Sequence, residues 1–226
     1  MPRGGVPERW PYSGNTTGNL TEFKYLARVN FLAHIYLSGD DPNIQLGNFI
    51  GDFVRGRNLT EQFEAGIAKG IALHRAIDEF TDKHAVVKQS KVRLRKKYRH
   101  YAPVIVDIFY DHYLAKNWDR YHSTFLPEFA EKTYTMIMSR ETILPEKVKW
   151  MMPYMMKQDW LTNYARIDGI ARVLGGMSRR TPYNSKMHEA VDDLRMHYTD
   201  FEKEFFEFFP ELETHSKEFL STHSLH

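Results

Sequence analysis

His74 and Asp78 stand four residues apart in GIALHRAIDEFTD, residues 70–82, a stretch of good helix formers without proline. At about 100° per residue they share a sector of roughly 80° with Phe63, Ile67 and Ile71, the face that should meet a core. Burying a carboxylate is costly unless it is paired or bound to a metal. The segment PVIVDIFYDHYLAKNW repeats the anomaly: Val104, Ile108, Asp111, Ala115 and Trp118 make one stripe, Asp107 lies a turn before Asp111, and His112 falls at the stripe's edge. Asp52 sits among Phe49, Ile50 and Phe53, and His34 lies inside FLAHIYL. Imidazoles and carboxylates from several helices, converging in a bundle core, make a metal site. Without sulfur, that ligand set suits Mn²⁺, Fe²⁺ or Mg²⁺ better than structural zinc. Such ions lower the pKa of a bound water and hold a phosphate oxygen, the arrangement for hydrolysing a phosphoester.

Each of these residues also has a structural account. An inward histidine is often a satisfied core residue, and a buried aspartate is often a cap or the partner of an arginine such as Arg75 or Arg55. On the residues alone both accounts stand.

The elements that must position these groups are helical. Asp41 and Pro42 read as N-cap and N1 of a helix that ends near Gly56. Further helices are expected over about 61–82, 85–99, from Pro103, and near 125–139, 145–156, 158–164, 167–175 and 184–208. No alternating strand pattern or repeat appears, so the expected architecture is one all-α domain, a helical bundle. Residues 1–28, rich in Pro, Gly, Asn and Thr, read as a loose extension ahead of a helical domain over 29–226.

The chain has 226 residues, 42% of them hydrophobic, enough for one domain with a real core. It has no cysteine, which excludes disulfides, zinc–thiolate sites and a cysteine nucleophile, and fits a cytoplasmic protein. No apolar run approaches the roughly 20 residues of a membrane span. The net charge is +2, yet residues 83–103 hold eight Lys and Arg and no acid. That local excess points to an acidic partner rather than nucleic acid. The candidate contacts are Lys88, Lys91, Arg93, Arg95, Lys96, Lys97 and Arg99. A merely solvated helix face is the competing account.

VLGGMSRRTP lacks the spacing and lysine of a P-loop; its glycines could end a helix, and Arg179 and Arg180 could clamp a phosphate or form surface ion pairs. Met151, Met152, Met155 and Met156 read as core filling, with a lipid or pantetheine groove as the alternative. The Phe-rich C-terminal helix reads as core. No GxSxG or HExxH motif is present.

NFLAHIYLS, GNFIGDFVRG, GIALHRAIDEFTD, VIVDIFYDHYLAKNW and VLGGMSRR occur in this order from about Val29 to Pro210. Together they closely resemble the bacterial acyl carrier protein phosphodiesterase family. The resemblance implies an all-helical, Mn²⁺-dependent enzyme, distantly akin to HD-type phosphohydrolases. It would remove 4′-phosphopantetheine from holo-acyl carrier protein and leave the serine free. Asp52 then falls on the aspartate the family needs for activity. His74 and Asp78 fall on its HRxID motif, Asp111 and His112 on its DH motif, and His34 on NFLAH. Arg75 and Arg55 would neutralise phosphoryl charge, and the basic helix would receive the carrier protein. Family members usually start with Met where Val29 stands, so residues 1–28 have no counterpart there. Two other functions compete: an HD-like hydrolase of nucleotides or other phosphodiesters, and a carrier-protein-binding module without catalysis. A structural helical protein with no metal is the third possibility.

Overall fold

The computed structural model describes residues 30–181 and 184–222. The expected extension over 1–28 lies outside them. Eleven α-helices and five short 3-10 turns make up the described fold, with no strand among the described residues. The helices are α1 (Phe31–Tyr36), α2 (Pro42–Ile50), α3 (Ala65–Lys83), α4 (Ala85–Tyr98), α5 (Ala102–Lys116), α6 (Leu126–Met138), α7 (Glu146–Lys157), α8 (Trp160–Asn163), α9 (Ile167–Arg180), α10 (Ala190–Met196) and α11 (Tyr198–Thr222). The class is all-α, as the absence of strand patterns implied. None of the described helices is long and apolar enough to cross a membrane.

Local chemistry accounts for some of the boundaries. The Asp41 carboxylate accepts from the backbone N–H of Asn43 and Ile44, at 2.8 and 3.3 Å, with Pro42 at N1 of α2. That helix ends at Ile50, before Gly56. A 3-10 turn over Gly51–Phe53 follows, and Gly56 serves a later bend at φ +95°. Gly175 and Gly176 do not end α9, which continues to Arg180. The expected helix over 184–208 is two helices. His197, at φ −112° and ψ 30°, separates α10 from α11. α11 then passes through Pro210, which is exposed, so water can solvate the carbonyl that proline leaves unbonded.

α5 departs furthest from a one-sided stripe. Every residue from Ile108 to Ala115 is buried, as are Val104, Ile105 and Val106. A helix apolar on nearly all sides belongs in the middle of a fold, and α1, α4, α9 and α11 pack against this one. Phe201, Phe205, Phe208 and Phe209 of α11 are buried beside it, with Phe109 against Phe201 at 5.1 Å between ring centroids. Met151, Met152 and Met155 fill core space as expected, whereas Met156 is 42% exposed.

Candidate metal centre

Two glycines bring α2 and α3 into backbone contact. A Cβ on Gly47 would lie 2.0 Å from the Ile67 carbonyl oxygen, and one on Gly70 would lie 2.2 Å from that of Ile44. The same close approach continues at Gly51, where a Cβ would meet Cγ of His74 at 2.3 Å. His74 is thereby set against the end of α2, and its Nδ1–H donates to the Asn48 carbonyl at 2.9 Å. From the other side α1 delivers His34, whose Nδ1–H donates to the Asn48 side-chain oxygen at 2.7 Å. The two imidazoles stack at 4.1 Å between centroids, with 22° between their planes.

The opposite edges of the rings carry the chemistry. Nε2 of His34 and Nε2 of His74 are buried and have no hydrogen-bond partner. Unsatisfied buried polar atoms are rare and call for an explanation. Facing them are two carboxylates: Asp78 lies 3.5 Å from His34 Nε2 and 3.6 Å from His74 Nε2, and Asp52 lies 3.3 Å from His74 Nε2. These separations exceed the 2.7–2.9 Å or so of a charge-assisted hydrogen bond. His34, His74 and Asp78 each offer a ligand atom within 4.8 Å of the others. The donor set, two neutral-imidazole lone pairs with carboxylate oxygens, fits a divalent cation.

Burial holds the His34 pKa below the ordinary imidazole value, and the neighbouring His74 adds to that. Burial also works against charge on His74. There the neighbouring Asp52 carboxylate, with Asp78 beside it, outweighs burial and raises the pKa. The carboxylates thus favour positive charge beside the two Nε2 atoms.

Two of the six expected ligands are engaged elsewhere. Asp111 is fully buried, and its two oxygens accept from the backbone N–H of Leu32 and Ala33 at 3.1 and 2.9 Å. It caps the N-terminus of α1 from a distant helix, where Asn30 supplies no side-chain cap. Burial pushes its pKa well above the carboxylate range, against the pull of those two donors. His112 donates from Nδ1 to the Tyr164 carbonyl and meets the Tyr198 hydroxyl at Nε2, each at 2.8 Å. Both ring nitrogens are spoken for, so neither residue brings a spare ligand atom. Asp111 acts on the centre indirectly, by fixing the helix that carries His34.

The arginines are spread out. Arg75 follows His74 and donates to the Val54 carbonyl at 3.3 Å, tying α3 to the chain just past Asp52. Arg55 is exposed in that same loop, and Arg179 is exposed near the end of α9. The side chain of Arg180 lies outside the described residues.

The seven basic candidates of α4 divide in two. Lys91 pairs with Asp82 at 2.7 Å, Arg93 grips Glu204 of α11 through two bonds at 2.7 and 2.8 Å, and Lys97 meets Asp193 and Glu189 of the α10 region at 3.0 and 3.2 Å. These three hold the fold together. Lys88, Arg95 and Lys96 lie within a sector of about 100° opposite the buried Val86, Val87, Ser90, Leu94 and Tyr98. Val92, 66% exposed, lies in the middle of that sector, and exposed Arg99 stands at the helix end.

Asn48, Ser38 and the three close-contact glycines were not singled out from sequence. The available signal was an asparagine between two glycines in the apolar run QLGNFIGDF.

The residues of this centre fall within the part of the chain that known proteins match. The family model described as acyl carrier protein phosphodiesterase matches residues 29–212. A Photorhabdus laumondii protein named acyl carrier protein phosphodiesterase is 38% identical over 183 residues, covering 80% of this chain and 92% of that protein. Proteins of the same name from Yersinia enterocolitica and Enterobacter sp. (strain 638) are 34% and 33% identical, and the alignments cover 94% and 98% of their lengths. No solved structure matches.

Proposed function

The chain belongs to the acyl carrier protein phosphodiesterase family, a family of phosphoric diester hydrolases, and from that premise we propose that it cleaves the serine–4′-phosphopantetheine diester of holo-acyl carrier protein at a divalent-metal centre. Water adds to phosphorus and the bond from phosphorus to the serine oxygen breaks. The departing serine oxygen takes up the proton that the water gives up, so the products are apo-carrier protein with a free serine hydroxyl and 4′-phosphopantetheine.

His34, His74, Asp52 and Asp78 would hold the cation, with Mn²⁺ the first candidate and Mg²⁺ or Fe²⁺ behind it. When bound, such an ion polarises a phosphoryl oxygen and lowers the pKa of a water. The observation behind this reading is the pair of buried Nε2 atoms with no hydrogen-bond partner, aimed at two carboxylates. An ion-pair account would protonate His74 alone, and it leaves the buried Nε2 of His34, a ring that burial keeps neutral, without a partner. Asp111 and His112 are not carried forward as ligands.

Arg75 is anchored beside the Asp52 turn with donors to spare, and it is proposed to neutralise phosphoryl charge, with Arg55 at the rim. Arg179 remains a weaker phosphate candidate. Lys88, Arg95, Lys96 and Arg99 form the proposed docking face for the acidic carrier protein, with exposed Val92 as an apolar contact at its middle. Rim charges of this kind mainly speed encounter and set orientation. The kinship to HD-type phosphohydrolases is likewise a proposal, supported by the use of His and Asp from successive helices.

The experiment is intact-mass spectrometry of holo-acyl carrier protein incubated with this protein plus Mn²⁺, with EDTA, or with the Asp52→Ala variant. Loss of the phosphopantetheine mass only with metal and intact Asp52 supports the reading. Turnover that persists in excess EDTA refutes the metal, and no turnover with Mn²⁺ refutes the substrate.

A further inference from the structure

One residue touches both histidines, and it does so in two ways. The Asn48 side chain is fully buried between α1, α2 and the loop after α1. Its Nδ2 donates to the His34 carbonyl at 2.8 Å and to Ser38 Oγ at 2.9 Å. Ser38 Oγ in turn donates to the same His34 carbonyl at 2.8 Å, so its lone pair is what the amide meets. With both amide hydrogens used, the amide oxygen must be the atom that faces His34 Nδ1 at 2.7 Å. A carbonyl oxygen only accepts, so the proton of His34 sits on Nδ1.

The backbone of Asn48 repeats the operation on His74. α2 closes with a tight last turn, in which Gly51 N–H donates to the Asn48 carbonyl. A carbonyl has a second lone pair, and here it accepts from His74 Nδ1 at 2.9 Å. The proton of His74 is therefore also on Nδ1. In both neutral rings the bare lone pair is left at Nε2, the atom that faces Asp52 and Asp78.

We propose that Asn48 is the positioning residue that sets the tautomer of both histidines. Its side chain fixes His34 and its main chain fixes His74, so two Nε2 lone pairs converge before any ligand arrives. The purpose of this arrangement rests on the metal reading above; the geometry does not. A proton on Nε2 of either ring would fill the position a cation needs, so loss of the clamp should weaken binding without removing a ligand. Outer-shell partners of ligating histidines are worth about 10–100-fold in metal affinity.

The two arms make the test self-controlled. In Asn48→Leu the side-chain arm is gone and the main-chain arm stays. Long-range ¹H–¹⁵N spectra of the metal-free protein report which nitrogen of each imidazole carries the proton. Wild type should show Nδ1–H on both. Asn48→Leu should show Nε2–H appearing on His34 while His74 is unchanged, and the Kd for Mn²⁺, measured by calorimetry, should rise about 10–100-fold. Should that variant fail to fold, Ser38→Ala loosens the amide from one side and should give the same His34 change, with a rise in Kd of less than about tenfold. Wild-type His34 with its proton on Nε2 would overturn the proposal. So would a folded Asn48→Leu variant with unchanged His34 tautomer and Mn²⁺ affinity. Correct tautomers in a wild-type protein that binds no Mn²⁺ would uphold the assignment and count against the metal reading alone.

Discussion

His74 and His112 look alike in the sequence, each with an aspartate close by on a mostly apolar helix, and the structure treats them oppositely. His112 satisfies both ring nitrogens, at the Tyr164 carbonyl and the Tyr198 hydroxyl. His74 satisfies one, and its other nitrogen, like that of His34, faces carboxylates at distances too long for a strong hydrogen bond. The aspartates divide in the same way. Asp111 accepts two backbone N–H groups and is sealed from solvent, while Asp78 keeps 21% of its side chain exposed. A polar group on an apolar face is thus a ligand candidate only where local partners run out.

Activity breaks this comparison most directly. Asp52→Ala and His74→Ala should each lower kcat/KM by about 10²–10³-fold or more, the scale of losing a preorganised electrostatic contact in a transition state. They should also abolish the rise in Tm that Mn²⁺ gives the wild type, since only a ligand bound to the native state stabilises it. Asp111→Ala should behave differently. It leaves two buried N–H groups unpaired and should cost about 2–3 kcal/mol in denaturant unfolding. Mn²⁺ should still raise its Tm. If Asp111→Ala kept wild-type stability but lost the Mn²⁺ shift, Asp111 would be a ligand and the division drawn between the two regions would fail.

Most of the helices were legible, because most bury one face at a 3.6-residue period and some carry local start chemistry such as Asp41–Pro42; α1 and the break at His197 were not. The ends of α9 and α11 were not. Whether Gly175 or Pro210 stops a helix depends on exposure, which is a tertiary property. Four of the inward His and Asp residues were legible as a group for the same reason the core was. What separates them from Asp111 and His112 is hydrogen-bond saturation by partners at 78, 52 and 86 positions away, and no local pattern encodes that. Asn48 escaped because a lone asparagine in a helix carries no periodic signal. Its role exists only where α1 and α3 meet it.

The basic helix holds a second contrast, between cations that face inward and cations that face out. Arg93→Ala should destabilise by about 3 kcal/mol, because it leaves the largely buried Glu204 carboxylate without a counter-charge and with only the Ser90 hydroxyl as donor. Reversing Lys88, Arg95 and Lys96 to Glu should leave stability within about 0.5 kcal/mol. It should raise KM for holo-acyl carrier protein about tenfold, with kcat nearly unchanged, because such charges act on encounter. Steady-state kinetics at two ionic strengths checks this, since the wild-type KM should rise with salt and that of the reversed variant should not. A collapse in kcat at unchanged KM would remove docking from this face.

The smallest effect expected is a pH dependence at the saturated histidine. Burial, assisted by Lys116, lowers the His112 pKa, while the Tyr164 hydrogen bond and Glu202 oppose it. A folded-state pKa below the unfolded value of about 6.5 means that the unfolded chain takes up the proton first. Stability from this group is therefore complete above about pH 6.5 and is lost as pH falls toward the folded pKa, at up to about 1.4 kcal/mol per pH unit. His112→Gln keeps one donor and one acceptor but cannot titrate, so its unfolding free energy should fall less steeply than wild type below pH 6.5. The two proteins need to be compared under identical Mn²⁺, because His34 and His74 titrate in both and cancel in the difference. Equal slopes would mean that His112 is protonated in the folded state and lacks the fully committed ring that distinguishes it from His74.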